Sequence, residues 1–551
     1  MKRSYLLFFL LLSQIALSQT KFSENQKLVE TCKIWGFLKY YHPEVASGKT
    51  NWDEQLFKVL PQIEKAKTKE EFSKTIETWI DDLGAVALTK NVAQDSDSNY
   101  FLKNLNLDWI KNKNFFSEKL SKKLQFIVEN RFQGINHYII SKEDSPYPIE
   151  FVNESGYPNF QWTDKNLRIL ALFRYWNYVE YFFPYKYQMD QNWDEALAQV
   201  LPNIYAPNSE KDFVMTMREL SVKLNDTHAS TYSDKMSEFF GGEKFLAFSV
   251  KIIDEKAVIT RVANDSLAKI DDLKVGDVMT KFNGKTIHDV LKENEKYIPG
   301  SNKSAALPDL AWVTFSGNTN EVEIEYIRDN QTGVKKVHRY NPKDIKRKPN
   351  TDPKWKFLED NIGYVNMGRL EVKEVKSMMD EFKNAKAIIF DIRNRPKETH
   401  RYINEYLNPE PKVISSFIIQ DLSFPGRYIW RKENDVCGKL NPDYYKGKVI
   451  VLVNEVTLSH AEYTTMSFQT APNTTVIGSQ TSGADGANYP FDIIKGFSSS
   501  FTSQGVFYPN KKETQRVGIA IDVEVKPTIL GIQQGKDEVL DRAKEFIKTG
   551  K

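Results

Sequence analysis

The stretch KGKVIVLVNEVTLSHAEY, residues 446–463, decides how the C-terminal half of this chain folds. Its apolar run, Val449 to Val453, has no polar alternation, the pattern of a strand buried on both faces of a sheet. Ser459-His460-Ala461-Glu462 then has the Ser-x-x-Glu spacing of a helix capping box. Ser459 therefore falls where a strand hands over to a helix N-terminus, and free amides and the helix dipole there favour negative charge. A helix cap accounts for such a serine, and so does a nucleophile. Its neighbour His460 is not the base, because residues i and i+1 of a helix do not face each other.

Working outward, the same alternation repeats. NIGYVNMG (361–368), KAIIFDIRNRP (386–396) and TTVIGSQ (474–480) read as strands, and KEVKSMMDEFKNA (373–385) as a helix. The pattern predicts an α/β domain over 350–551 with a parallel or mixed sheet covered on both faces. Functional groups in such sheets gather at the C-terminal strand ends, here Asp391 to Asn394 and Asn454 to Ser459.

Upstream, 243–342 changes to short β-type runs around LKVGDVMTKFNG (273–284), with a turn glycine at Gly276 and an Asn283-Gly284 hairpin signal. This segment resembles the PDZ domain of bacterial proteases. The resemblance implies a peptide-docking edge strand at Phe245, Leu246, Ala247 and Phe248, the alternative being a rigid spacer.

Two further segments match without a gap, 141 residues apart: KIWGFLKYYHPEVASGKTNWDEQLFKVLPQI from Lys33 and RYWNYVEYFFPYKYQMDQNWDEALAQVLPNI from Arg174. Each reads as an aromatic helix, a proline stop and an Asn-x-x-Glu start to a second helix. A duplicated helical module is expected over 19–91 and 165–235, joined by a polar connector, 92–164. Only the second copy ends in Asp226-Thr227-His228; the first has Ala87 at the position of His228.

The first residues, MKRSYLLFFLLLSQIALS, have the basic start, short apolar segment and small residues of a secretory signal peptide, 1–18. Export to the periplasm or exterior is expected, with no stable membrane insertion. Cys32 and Cys437 read as separate buried thiols rather than a disulfide. The 76 basic and 73 acidic residues nearly cancel, which gives no electrostatic case for nucleic acid. No His/Cys/Asp cluster has metal-ligand spacing and no Gly-rich loop suggests a nucleotide, so neither metal nor cofactor is expected.

Taken in order, these motifs resemble the tail-specific (C-terminal processing) and tricorn-type serine peptidases. The resemblance implies a crotonase-like α/β catalytic domain that cleaves peptides or unfolded protein through an acyl-enzyme. By position it makes Ser459 the nucleophile. The tail-specific branch takes its base from a lysine where this chain has Ala484. The tricorn branch uses a histidine before the PDZ-like module, which is His228 here, preceded by the hydroxyl residue Thr227. Its acid falls in KKETQRVGIAIDVEV (511–525), at Glu513 or Gln515, and its oxyanion donors are the amides of His460 and Lys397. Pro396-Lys397-Glu398 replaces the usual Pro-Gly-Gly, and His400 beside that loop is the one rival base. The alternative is a catalytically inactive protein that holds a peptide or an apolar ligand on the same fold.

Overall fold

The computed structural model describes residues 23–89, 99–142, 148–346 and 351–551; the expected signal segment, 1–18, lies outside them. Both matched segments build the same three-helix order. The first gives α1 (Glu24–Tyr41), α2 (Trp52–Lys65) and α3 (Lys69–Asp82). The second gives α4 (Lys165–Phe182), α5 (Trp193–Tyr205) and α6 (Glu210–Val222). Asn51 and Asn192 cap α2 and α5, accepting from the backbone N–H of Glu54 and Asp194.

In each segment two tryptophans exchange indole-to-carbonyl hydrogen bonds. Trp52 donates to Trp35 O (2.9 Å) and Trp35 to Trp52 O (3.4 Å), while Trp176 and Trp193 do the same at 3.0 and 3.1 Å. This satisfies the indole N–H groups inside the core. Helices α1 and α4 are rich in aromatic residues and buried on almost every face. They approach so closely that a Cβ at Gly36 would lie 1.7 Å from Asn177 Oδ1, so the contact requires glycine there.

The segment expected as a connector does not stand apart. Ile110, Phe116, Leu120, Leu124 and Ile127 join the helical core, and Tyr100–Phe101 pairs with the strand Tyr428–Trp430. That core also takes in Tyr489, Phe491, Phe501 and Phe507, so the helices and the C-terminal part share one interior. Cys32 and Cys437 are both buried and free of any disulfide. After α6 the chain runs through Asp226-Thr227-His228 into the short strand β1 (Ser230–Ser233).

The next unit is a sheet whose strands run in the order Phe245–Leu246, Gln331–Tyr340, Glu321–Arg328, Val278–Phe282, Lys256–Val262 and β2 (Phe248–Ile253). Helix α7 (Lys303–Phe315) packs across β2. Asn283 and Gly284 both have positive φ (48° and 78°), the turn expected of Asn-Gly in a hairpin. The four expected docking residues divide between the two ends of this sheet. Phe245 and Leu246 already pair with Tyr340 and Arg339, and Ala247 O accepts from Ala263 N. Phe245 also stacks on Trp312, with ring centroids 5.0 Å apart. Phe245–Leu246 is one end strand of this sheet and β2 is the other, and of the four expected residues Phe248 lies on β2.

The C-terminal sheet runs Trp355–Leu358, β3 (Ile362–Asn366), β4 (Ala387–Asp391), β5 (Lys448–Val453), β6 (Thr474–Gly478) and Val523–Glu524. The first pairing is antiparallel and the others are parallel. Ile388, Phe390, Val449, Val451 and Val453 pack with Val375, Ile403 and Phe468, from helices that include α8 (His460–Gln469). Ile389, Ile450 and Leu452 pack with Val539, Ala543 and Ile547 of the last helix. Burial on both faces is why these strands carry no polar alternation. A separate strand, β7 (Phe497–Thr502), pairs with β1, placing Ser500 opposite Ser230. Thus the histidine-bearing segment is stitched to the C-terminal half through main-chain hydrogen bonds.

Candidate active site

Ser459 follows β5 and precedes α8 with φ 57° and ψ −119°. Helix caps normally lie in the β region, and a non-glycine residue at positive φ costs about 1–3 kcal/mol. Capping alone gives no reason for that strain. Glu462 holds the turn from within: its carboxylate accepts from Thr481 Oγ1 (2.5 Å), Gly483 N (2.7 Å), Ala484 N (2.9 Å) and Ser459 N (3.3 Å). Ala484, at the position of the tail-specific lysine, is fully buried in this loop. Ala484→Lys is expected to cost about 1–3 kcal/mol through overpacking and to raise no activity. Thermal melting and a peptidase assay read the two effects, and a gain in turnover would restore a Ser-Lys mechanism.

Ser459 and His228 line one cavity of about 1290 Å³, together with Thr227, Arg395, Glu398, His460, Asp485 and Gly486. His228 is nearly buried, at 7% exposure. Its Nδ1 lies 3.0 Å from Thr502 Oγ1 on β7. That hydroxyl donates to Asp226 Oδ1 at 2.9 Å, and Thr502 N donates to Asp226 Oδ2 at 2.7 Å. Asp226 Oδ1 also accepts from His228 N (3.2 Å) and Gln515 Nε2 (3.2 Å).

This network fixes the tautomer. A threonine hydroxyl has one proton, and here it is committed to a carboxylate that can only accept. Toward His228 the hydroxyl oxygen is therefore an acceptor, so Nδ1 carries the proton and Nε2 presents its lone pair. Burial lowers the His228 pKa from its usual 6.5, nearby Asp226 opposes this, and Arg395 adds to the lowering. A buried, neutral imidazole with a fixed lone pair is suited to general-base work.

The other expected residues fall as follows. Thr227 does not touch the imidazole; its Oγ1 accepts from Ser301 N (2.9 Å), and its N–H donates to Ser301 Oγ (2.9 Å). It ties the histidine segment to the β-rich unit. Glu513 is drawn away by Tyr187 (2.8 Å) and Gln188 (2.9 Å), so it does not orient His228. Gln515 reaches Asp226, one step removed from the base. His460 opens α8, where its amide has no intrahelical partner. Lys397 is exposed and does not line the cavity, and its carbonyl lies 3.4 Å from His460 Nε2. His400 is buried, with its pKa held down at about 3 by burial and by His460, and it does not line the cavity.

Asp226 belonged to a visible sequence trio, yet its carboxylate role depended on Thr502, 274 residues from His228, which no local signal marks. Asp485 is likewise added by the fold. It lines the cavity, and burial with the nearby Glu462 pushes its carboxyl well above the usual range.

The β-rich unit supplies a second cavity, of about 830 Å³, between β2 and α7. Val250 to Asp254, Leu307, Ala311, Glu455 and Val456 are among its lining residues. Val456 lines both cavities, and Lys251 on β2 pairs with Glu455 at 2.5 Å, four residues before Ser459.

Ser459, at a strand-to-helix turn, and the buried His228 line one cavity, the residue types a serine nucleophile and its base require. Residues 361–525 match the sequence profile of peptidase family S41, and residues 242–361 that of a PDZ domain. The C-terminal part of the chain is thus similar to a peptidase family S41 domain, and it follows a segment similar to a PDZ domain and a helical N-terminal region. Mature CPAF complexed with lactacystin shares the fold, with a TM-score of 0.55 at 14% identity over 69% of this chain and 97% of that one. A putative peptidase from Parabacteroides merdae ATCC 43184 gives 0.43 at 14% identity, over 70% and 97%. The photosystem II D1 C-terminal processing protease gives 0.40 at 14%, over 68% and 98%. No curated protein sequence matches.

Proposed function

We propose that this chain is an exported endopeptidase acting on peptides or unfolded protein, with Ser459 as nucleophile and His228 as general base. The observation that carries this reading is the strained Ser459 sharing a cavity with a buried imidazole whose Nε2 lone pair is fixed by Thr502 and Asp226. His228 Nε2 takes the Ser459 proton as Oγ attacks the scissile carbonyl carbon. The imidazolium so formed is stabilised through Thr502 by the Asp226 carboxylate. The oxyanion is held by the His460 amide and the positive end of α8. The imidazolium then protonates the leaving amine, and a water activated by the same nitrogen hydrolyses the acyl-enzyme, releasing the acid and Ser459.

Substrate delivery follows from the β2 edge, the end strand that borders the second cavity. An extended peptide adds to β2 as a further strand, its side chains between β2 and α7, and leads past Val456 toward Ser459. The domain is read as crotonase-like, and the two helical segments, with their shared helix order and tryptophan exchange, as a duplicated module of which one copy carries the base. Residues 1–18 are read as a cleaved export signal. Among the described residues no helix is long and apolar enough to cross a membrane.

Hydrolysis of an unfolded protein and of short peptides by the mature chain tests this reading. Because the His228 pKa is lowered, the base stays neutral under mildly acid conditions. The acid limb of kcat/KM, which reports the free enzyme, should lie below 6.5. A limb at or above 6.5 would remove His228 as the base.

A further inference from the structure

The loop after β4 and the start of α8 bring together three groups that peptide hydrolysis does not use as side chains. Glu398, His400 and His460 each place one ligand atom so that all three lie within 4.8 Å of one another. Sequence spacing gave no hint of them, because two flank the oxyanion loop and the third follows the nucleophile. His460 Nε2 and Glu398 Oε1 are 3.6 Å apart, close to the ~3.3 Å edge of a tetrahedron built from metal bonds of about 2.0–2.1 Å. The two imidazole rings meet at a centroid distance of 5.0 Å and an angle of 69°.

His400 is the second observation. It is 3% exposed, and neither ring nitrogen has a hydrogen-bond partner among the described residues. Leaving a buried donor or acceptor unsatisfied costs about 1–3 kcal/mol. Buried polar atoms without partners therefore call for an explanation, an unseen ion among them. Among the described residues no carboxylate, hydroxyl or carbonyl relieves this ring, while the Glu398 and His460 donor atoms lie within 4.8 Å of it.

We infer that Glu398, His400 and His460 form a binding site for a zinc-class divalent cation, clamping the 396–400 loop to the N-terminus of α8. Two imidazoles and one carboxylate select zinc and its transition-metal neighbours over magnesium and calcium, which take oxygen ligands. Three protein ligands leave a fourth position for water or another small ligand. Glu398 and His460 also line the Ser459 cavity, so the ion sits in its wall and ties together the two segments that carry the expected oxyanion amides. The site stands or falls independently of whether Ser459 cleaves peptides.

The test is calorimetric titration of chelator-stripped mature protein with Zn²⁺, with Co²⁺ absorption as a second readout. One ion per chain is expected, with Kd about 1 µM or tighter, unaffected by excess Mg²⁺, and with the visible bands of tetrahedral Co²⁺. Glu398→Ala and His460→Ala should each weaken binding at least about tenfold, on the scale seen when metal sites lose supporting groups. Buried His400→Asn can fail to fold, so the exposed Glu398→Ala carries the decision. Absence of one-to-one binding, or binding that survives both substitutions, overturns the site.

Discussion

Ser459→Ala abolishes peptide hydrolysis while leaving the fold intact. The loss in kcat is at least about 10⁴-fold, the scale on which serine hydrolases depend on their nucleophile. The fold should survive because the turn is held by backbone bonds to Glu462 rather than by the serine hydroxyl alone. Circular dichroism and melting check the fold, and a peptide assay checks turnover. Ser459→Gly is the sharper control: glycine accepts positive φ without strain, so this variant should be inactive yet melt no lower than wild type. Retained hydrolysis in either variant would mean the strained serine is only a helix cap.

His228→Ala should lower kcat/KM by about 10²–10⁴-fold, the usual contribution of a positioned base. Its neighbours predict a graded pattern. Asp226→Asn should also cost about 10²-fold or more, because an amide can donate where the carboxylate only accepts, which releases the Thr502 proton and the tautomer with it. Thr502→Val removes the link while leaving the carboxylate, and should fall between wild type and Asp226→Asn. Glu513→Gln, which touches Tyr187 and Gln188 rather than the imidazole, should stay within about twofold of wild type. A large effect at Glu513 with none at Asp226 would reverse the assignment of the acid.

The sequence carried the α/β domain clearly, because Val449 to Val453 and Ala387 to Asp391 lack polar alternation for a physical reason, burial on both faces. The helix start at Ser459 was legible from Ser-x-x-Glu, but its positive φ was not, since nothing in a one-dimensional pattern encodes strain. Asp226 stands in view beside His228, but Thr227, a hydroxyl of the right type to orient the base, turns to Ser301 instead. Thr502 was beyond reach, because it approaches only through the pairing of β1 with β7. Phe245 to Phe248 read as one strand, but Phe245 and Leu246 pair with Tyr340 and Arg339 at one end of their sheet, while Phe248 begins the strand at the other end. Glu513 was plausible by spacing, but its carboxylate meets Tyr187, 326 residues away. In each case the missing information was which distant segment a residue meets.

In the proposed mechanism a histidine from the helical half activates a serine in the α/β half. The most direct measurement is the second-order rate of fluorophosphonate attachment, located by peptide mass spectrometry, in wild type and His228→Ala. The prediction is a single phosphonylated residue, Ser459, with the rate reduced at least about 10²-fold in His228→Ala. Folded wild-type protein that takes up no label at Ser459, or labelling of Ser459 at an unchanged rate in His228→Ala, would contradict it.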